Sequence, residues 1–114
     1  MKWYDTPFDI RLKESNGDES VVQPDIAVFC DPKMLDDRGA VGPPDWIIEI
    51  LYPSTEFKDK TIKAFLYQNH GVKEYWLIDP EKETVVIFQI MPDGKYGVPN
   101  EYKEGKLNTF FNDL

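Results

Sequence analysis

The chain has 114 residues and a formal net charge of −8, from 13 Lys and Arg against 21 Asp and Glu. Since a domain commonly uses on the order of 150 residues, this length predicts a single domain spanning residues 1–114. The hydrophobic content of 41%, with 14% aromatic residues, is enough to cover a small core and excludes a wholly disordered acidic chain.

Several features of the sequence bear on its location. No apolar run approaches the roughly 20 residues that a membrane span needs, and the N-terminal residues do not form a charged stretch leading into an apolar one. The single cysteine, Cys30, cannot form an internal disulfide bond. We therefore expect a cytoplasmic protein with no membrane partner.

The negative charge limits how the protein could bind nucleic acid. A surface with an excess of eight negative charges repels phosphate backbones at long range. Acidic residues gathered at one point can nevertheless hold divalent cations, which reverse the sign of the local charge. A nucleic-acid function would therefore depend on metal ions and not on a basic surface.

The first half of the chain is predicted to be mostly strand. Alternating apolar and polar residues predict a strand over 8–13, and an apolar segment predicts a second strand over 21–30. Residues 33–44, rich in Asp, Gly and Pro, indicate a loop. Residues 46–52 are apolar on both faces except for Glu49, which is typical of a central strand covered on both sides.

The second half opens with a predicted helix over residues 56–70. Ile62, Phe65 and Leu66 recur there at helical spacing, and Gly71 follows where a helix can end in the left-handed conformation.

Two further strands are predicted at 74–78 and 84–90, and the short turn between them indicates an antiparallel hairpin. An apolar cluster at 110–114 ends the chain without an assigned element. The order strand, strand, strand, helix, strand, strand indicates an α/β or α+β protein with one central mixed sheet flanked by a helix.

Glu49 is the most informative residue, because its carboxylate lies among apolar residues of a strand predicted to be buried. Burying an unpaired charge costs several kcal/mol or forces protonation. A buried cation, a set of hydrogen-bond donors, or a metal ion shared with a second carboxylate could compensate the charge. Asp25 in the neighbouring predicted strand could supply that carboxylate, since Mg²⁺ and Mn²⁺ prefer oxygen ligands. The alternative is a purely structural pairing of Glu49 with a Lys or Arg.

Asp59, Lys63 and Tyr67 lie four residues apart on the predicted helix and form one polar stripe beside the apolar stripe. Such a stripe is usually a face exposed to solvent. Because a short connection joins the helix to the strand that holds Glu49, Lys63 could instead reach back over the strand ends.

Several motifs occur in a fixed order: VQPD at 22–25, GPPDWIIEILYPST at 42–55, the Asp59/Lys63/Tyr67 stripe, and GVKEYWLIDP at 71–80. Together they resemble the Uma-type family of bacterial restriction-endonuclease-like proteins, a part of the PD-(D/E)XK nuclease superfamily. The resemblance extends over residues 7–90 and implies a restriction-endonuclease-like fold.

The resemblance also implies a metal site. In the superfamily, the Asp of the Pro-Asp pair and the acidic residue of the next strand bind Mg²⁺, and the following residue offers its main-chain carbonyl. Carried over to this chain, Asp25 and Glu49 become ligands of Mg²⁺ or Mn²⁺, and Ile50 supplies the carbonyl.

The superfamily's catalytic lysine stands two residues after the acid, where this chain has Leu51. The resemblance implies that Lys63 on the helix replaces it. Asp59 would then orient Lys63, and Tyr67 would hydrogen-bond a phosphate or a ligand carboxylate; for both residues, a plain position on the helix surface is the alternative.

The activity implied is metal-assisted hydrolysis of DNA phosphodiester bonds, with Asp25, Glu49 and Lys63 as catalytic residues. Relatives usually carry further residues at both ends, so the resemblance also implies a shortened chain whose apolar surface a homodimer or larger homo-oligomer could cover. Two other interpretations stay open: a catalytically inactive member that serves as an oligomerisation or protein-interaction module, and carboxylates that hold a purely structural ion.

Overall fold

The computed structural model describes residues 2–5 and 8–103. Two 3₁₀ turns in this part of the chain lie at Pro32–Met34 and Pro53–Thr55. The predicted apolar cluster at 110–114 falls outside the described residues. In chain order the strands are β1 (Lys2–Asp5), β2 (Ile10–Lys13), β3 (Glu19–Val22), β4 (Ile26–Phe29), β5 (Leu35–Asp36), β6 (Gly39–Val41), β7 (Trp46–Ile50), β8 (Glu74–Asp79), β9 (Thr84–Gln89) and β10 (Asn100–Lys103).

The helix between β7 and β8 occupies residues 56–69 and changes its winding in the middle. It begins as α1 (Glu56–Lys58), continues as a π-helical turn over Asp59–Lys63, and ends as α2 (Ala64–Asn69). Gly71 follows with a φ of 77°, the left-handed conformation expected after the helix end. Among the described residues, no helix has the length and apolar character needed to cross a membrane.

Six strands form the central sheet, in the order β1-β4-β7-β8-β9-β10. The strands β7 and β8 are parallel, and the helix makes the crossover that a parallel pair requires. Every other neighbouring pair in this sheet is antiparallel, including the predicted hairpin, which is confirmed as β8 and β9. The predicted mixed sheet flanked by a helix is therefore confirmed.

A second, four-stranded sheet in the order β3-β2-β6-β5 was not predicted. Two of its strands, β5 and β6, come from residues 33–44, so the prediction of a loop there is wrong. These strands have two and three residues, which is too short for alternation to be detected. The backbone at Gly39 has a φ of 129°, and a Cβ there would lie 2.1 Å from the carbonyl oxygen of Asp9, so the close approach requires glycine.

The strand predicted over 21–30 is also two strands, and they belong to different sheets. The strand β3 ends at Val22 and β4 begins at Ile26. Pro24 lies in the break, where its missing N–H group removes no ladder hydrogen bond. As a result Asp25 lies immediately before β4 and not inside a strand.

The main core lies on one face of the central sheet. Side chains alternate between the faces of a strand, so Ile47 and Glu49 of β7 share one face, while Trp46 and Ile48 share the other, where they pack against Trp76. The second sheet and the helix cover the first of these faces. The buried side chains there are Ile10, Leu12, Ala27, Phe29, Ala40, Ile47, Leu51, Ala64, Tyr67, Val72, Tyr75 and Leu77.

The helix contacts the core through Ala64 and Tyr67, with Leu66 of the apolar stripe packed against the same core. Ile62 and Phe65 of the expected apolar stripe are 58% and 64% exposed, whereas Asp59 and Tyr67 are 2% and 0% exposed. The π-helical turn carries Asp59 and Lys63 of the polar stripe, and this stripe faces the sheet. The burial of Asp59 is compensated by its contacts with Lys63, described below.

Candidate active site

Glu49 lies on the core face of β7 and is 5% exposed. The ammonium nitrogen of Lys63 lies 3.3 Å from Oε1 and 3.4 Å from Oε2 of this carboxylate. The hydroxyl of Tyr75 donates to Oε2 at 3.1 Å. A cation and a hydrogen-bond donor, two of the three compensations considered for a buried carboxylate at this position, are therefore present.

The surroundings of Glu49 disfavour its charge on balance. Burial raises the pKa of Glu49, and the opposing effects of the Lys63 ammonium and the Tyr75 hydroxyl do not cancel that rise. A carboxylate of this kind gains stabilisation from any further positive charge in the cleft.

Asp59 and Lys63 both belong to the π-helical turn. Lys63 Nζ lies 3.0 Å from Asp59 Oδ1, while Asp59 Oδ2 accepts a hydrogen bond of 3.0 Å from the Thr55 hydroxyl. Burial works against the charge of Lys63, but the carboxylates of Glu49 and Asp59 outweigh it and leave the pKa of Lys63 above its ordinary value. Lys63 is therefore a protonated group that can donate hydrogen bonds and balance negative charge.

Tyr75 was not singled out as a site residue, yet its hydroxyl contacts both the strand β7 and the helix. Its hydroxyl lies 3.1 Å from Glu49 Oε2 and 3.0 Å from the main-chain oxygen of Asp59. A phenol has one hydrogen, so it can donate to only one of these oxygens at a time. Tyr75 lies beside Ile47 in the parallel register and so shares the face of Glu49, but this register is a tertiary contact that the sequence pattern does not contain.

Asp25 reaches the same end of β7 from the neighbouring strand. Its Oδ2 accepts a hydrogen bond of 2.8 Å from the main-chain N–H of Ile50, the residue after Glu49. Ile26, next in the chain, pairs with Ile48 of β7. The structure thus brings Asp25, Glu49 and Ile50 to the C-terminal end of β7, although Asp25 and Ile50 are 25 positions apart.

A cleft of about 430 Å³ opens at this end of β7, between the end of β3 and the helix. Its lining includes Glu49, Lys63, Tyr67, Gln23 and Lys58. The Tyr67 side chain is fully buried, and its hydroxyl has no hydrogen-bond partner among the described residues. Burial, and then the negative charges of the nearby carboxylates, raises the pKa of Tyr67, so its hydroxyl keeps its proton.

The oxygen atoms at this end of β7 are suited to binding a hard divalent cation. Carboxylate oxygens of Asp25 and Glu49 are the ligands that Mg²⁺ and Mn²⁺ prefer, and Mg²⁺ commonly keeps several waters as well. Within the described part of the chain, no group of three or more His, Cys, Asp and Glu side chains converges in the manner of a complete metal site. The two carboxylates therefore fit an ion that is bound partly by water or by main-chain oxygen.

The predicted site residues are thus found together. Lys63 and Asp59 contact one another, Lys63 contacts Glu49, and Tyr67 lines the same cleft. The alternative of a solvent-exposed surface does not hold for Asp59 or Tyr67, because both are buried.

Comparison with known proteins identifies the family to which the chain belongs. The family Uma2, described as "Putative restriction endonuclease", matches residues 2–109. The uncharacterized protein slr1290 of Synechocystis sp. is 28% identical over 100 residues, which cover 87% of this chain and 52% of that protein.

A solved structure shows the same fold. The crystal structure of "a putative nuclease belonging to DUF820" from Anabaena variabilis is 25% identical, with a TM-score of 0.66, and the match covers 90% of this chain and 55% of that one. The chain therefore spans about half the length of the relatives it matches. The restriction-endonuclease-like fold implied by the motifs is confirmed.

Proposed function

This chain belongs to the Uma2 family of restriction-endonuclease-like proteins, and on that premise we propose that it is a metal-dependent endonuclease that hydrolyses phosphodiester bonds of DNA. The observation that carries the proposal is that Lys63 contacts Glu49 beside an open cleft, while Asp25 accepts a hydrogen bond from the main chain of Ile50, the residue after Glu49. A pair of carboxylates next to a protonated lysine is suited to cleaving an anionic ester.

Asp25 and Glu49 would hold the cation, Mg²⁺ or Mn²⁺, and the main-chain carbonyl of Ile50 would be a third ligand. When bound, such an ion lowers the pKa of a water ligand and neutralises charge that develops on the phosphate. Its positive charge also offsets the net charge of −8 where the DNA approaches. Tyr75 keeps Glu49 in place through its hydrogen bond to Oε2.

Lys63 acts as a charged donor and not as a base. Its raised pKa keeps Nζ protonated, so it can donate to a phosphate oxygen and stabilise the negative charge that grows there during hydrolysis. Asp59 directs the ammonium toward Glu49 from the helix side and is itself fixed by the Thr55 hydroxyl.

Metal binding is tested first, because a cleavage assay depends on the choice of DNA. Isothermal titration of Mn²⁺ into the wild type is expected to show saturable binding that is lost in Asp25→Asn and Glu49→Gln. Glu56→Gln is the matched control, since Glu56 is a half-exposed acid of the helix that pairs with Lys60 at 3.0 Å and does not line the cleft. Absence of binding in the wild type, or equal binding in all variants, would refute the metal site.

Cleavage is tested next on supercoiled plasmid DNA with Mg²⁺ or Mn²⁺. We expect nicking or linearisation by the wild type and by Glu56→Gln, and none by Glu49→Gln with its circular dichroism unchanged. Retained cleavage in folded Glu49→Gln would exclude the proposed role of Glu49.

A second candidate function is a catalytically inactive oligomerisation or protein-interaction module. The observation that favours it is the exposed apolar side of the helix, where Phe57, Phe65 and Ile62 are 76%, 64% and 58% exposed. It predicts a stable homodimer or larger assembly by light scattering together with no Mn²⁺ binding. Saturable Mn²⁺ binding would count against it, whereas a homo-oligomer that binds Mn²⁺ agrees with the endonuclease.

We also propose a cytoplasmic location. Cys30, the single cysteine of the sequence, is an exposed free thiol, which suits a reducing compartment. Export of the full-length protein to an oxidising compartment, detected by fractionation, would contradict this assignment.

A further inference from the structure

Lys58 differs from the other cation of the cleft in having an uncompensated charge. Both Lys58 and Lys63 line the cleft. Lys63 is held between the carboxylates of Glu49 and Asp59, whereas Lys58 is exposed and forms no ion pair within the described residues. Lys58 is thus free to bind an anion that enters the cleft.

Tyr67 gives a second and independent indication of a ligand. Its hydroxyl is buried without a hydrogen-bond partner in the described structure, and its side chain belongs to the lining of the same cleft. Leaving a buried hydroxyl unpaired costs about 1–3 kcal/mol, and buried unsatisfied groups of this kind are commonly explained by function or by a missing partner. The lining of one cleft thus combines a hydroxyl without a hydrogen-bond partner and a lysine without an ion-pair partner among the described residues, and both groups can bind an oxyanion.

The walls of the cleft suit the remainder of a nucleotide chain. Val21 on β3 and Ile62 on the helix line it, and they are 57% and 58% exposed. Exposed aliphatic side chains can contact sugar and base surfaces, while polar groups hold the phosphates.

We propose that Lys58 and Tyr67 form a subsite for a backbone phosphate of the nucleic acid, next to the phosphate that is cleaved. The inference rests on the proposed function for the nature of the ligand, but it concerns binding and needs no catalytic step. Lys58 supplies the charge, and the Tyr67 hydroxyl donates to a phosphate oxygen. Because the net charge of −8 repels the DNA backbone from the rest of the protein surface, this subsite determines where the DNA strand enters the cleft.

The test measures the affinity for fluorescently labelled DNA by anisotropy at several salt concentrations, with EDTA present so that no cleavage occurs. One arm uses a single-stranded oligonucleotide, a second uses its duplex, and a third adds inorganic phosphate as competitor. The variants are Lys58→Ala, Tyr67→Phe and the control Lys60→Ala. The control removes the same charge from the same helix, but Lys60 is paired with Glu56 at 3.0 Å and is absent from the lining of the cleft.

The salt dependence separates a phosphate contact from a structural effect. Loss of one such contact makes the slope of log Kobs against log salt shallower by about 0.9 for duplex and about 0.7 for single-stranded DNA. We expect that change in Lys58→Ala and no change in Lys60→Ala. Tyr67→Phe should weaken binding several-fold without changing the slope, because its hydroxyl is neutral.

If Lys58→Ala weakens the binding of one form of DNA, single-stranded or duplex, more than the other, that form is the one that occupies the subsite. Absence of binding by the wild type, or equal effects of Lys58→Ala and Lys60→Ala, would overturn the proposal. Binding that depends on Lys58 in a protein that cuts no DNA with Mg²⁺ or Mn²⁺ would leave the subsite in place and refute the endonuclease function instead.

Discussion

Lys63 Nζ lies 3.3 Å and 3.4 Å from the two carboxylate oxygens of Glu49, although the residues are 14 positions apart and belong to a helix and a strand. The connection between β7 and the helix returns the chain over the strand end and makes this contact. Since Asp59 is on the other side of the ammonium at 3.0 Å, one lysine compensates two buried carboxylates.

Replacing Lys63 with methionine should destabilise the protein strongly. Methionine keeps the volume of the side chain but leaves Glu49 and Asp59 buried without their cation, and breaking a buried pair in this way costs about 3 kcal/mol or more. Urea unfolding followed by tryptophan fluorescence measures the loss.

Lys60→Met is the matched control for that experiment. Lys60 and Glu56 form a half-exposed ion pair four residues apart, and such pairs on a helix surface contribute roughly 0.2–0.5 kcal/mol. Equal stabilities of Lys63→Met and Lys60→Met would show that Lys63 does not compensate buried charge.

The neighbouring tyrosines Tyr67 and Tyr75, whose ring centroids are 4.9 Å apart, should respond differently to loss of the hydroxyl. Tyr75→Phe removes the hydroxyl that donates either to Glu49 or to the main-chain oxygen of Asp59, which should cost about 1–3 kcal/mol. Tyr67→Phe removes a hydroxyl with no partner among the described residues, so its stability should equal or exceed that of the wild type.

Thermal unfolding of the two variants under one buffer condition checks this difference. A lowered Tm in Tyr67→Phe would mean that the hydroxyl is paired in solution. Combined with weaker DNA binding, an unchanged or raised Tm would instead show that this hydroxyl serves a ligand at the expense of stability.

Asp45 should make the stability depend on pH in the acidic range. Its Oδ2 accepts a hydrogen bond of 2.7 Å from the Cys30 N–H, and its Oδ1 lies 3.2 Å from Lys73 Nζ. Burial works against its ionisation, but the Cys30 N–H and the Lys73 ammonium outweigh burial and keep the pKa of Asp45 below its ordinary value.

The sign of the effect follows from that lowered pKa. A carboxyl with a lower pKa in the folded state contributes stability that is present above the unfolded-state pKa and is lost as the pH falls through the folded-state pKa. Below about pH 4, the free energy of unfolding of the wild type should therefore fall more steeply than that of Asp45→Asn. Chemical unfolding at a series of acidic pH values measures these free energies. An equal fall with pH in the wild type and in Asp45→Asn would contradict this expectation.

Gly39→Ala should disrupt the second sheet. The new Cβ would lie 2.1 Å from the carbonyl oxygen of Asp9, at a φ of 129° that side chains rarely adopt. Backbone strain alone costs about 1–3 kcal/mol, and the clash adds to it. The control is Gly94→Ala, where φ is 82° and no heavy atom lies within 4 Å, so only the left-handed strain of about 1–2 kcal/mol is expected. Similar urea midpoints for the two variants would count against the close approach.

Much of the central sheet could be predicted from residue patterns. The apolar run around Glu49 predicted the central strand, and the short turn at 79–83 predicted the hairpin of β8 and β9. These patterns are local, since alternation and turn residues act within a few positions of the chain. Most residues of the candidate site, though not Tyr75, were also named from the sequence, because a carboxylate in a buried strand requires compensation and the order of motifs resembles a known family.

Other features depended on contacts between distant residues. The second sheet is built from strands of two to four residues, which have too little periodicity to be recognised. The buried face of the helix was left open by the sequence: Ile62 and Phe65 are exposed, whereas Asp59 and Tyr67 are buried. Helical spacing identifies stripes of side chains, but only the packing partner decides which stripe is buried.

The sequence by itself therefore determined that this protein has a mixed sheet, a helix after the central strand, and a buried acid that requires a partner. Only the tertiary structure decided which partner that acid has. Lys63 reaches Glu49 from the π-helical turn across the core face of β7, and Tyr75 contacts Glu49 from the adjacent parallel strand. The physical reason is that local patterns fix side-chain periodicity, whereas the compensation of buried charge depends on distances across the fold.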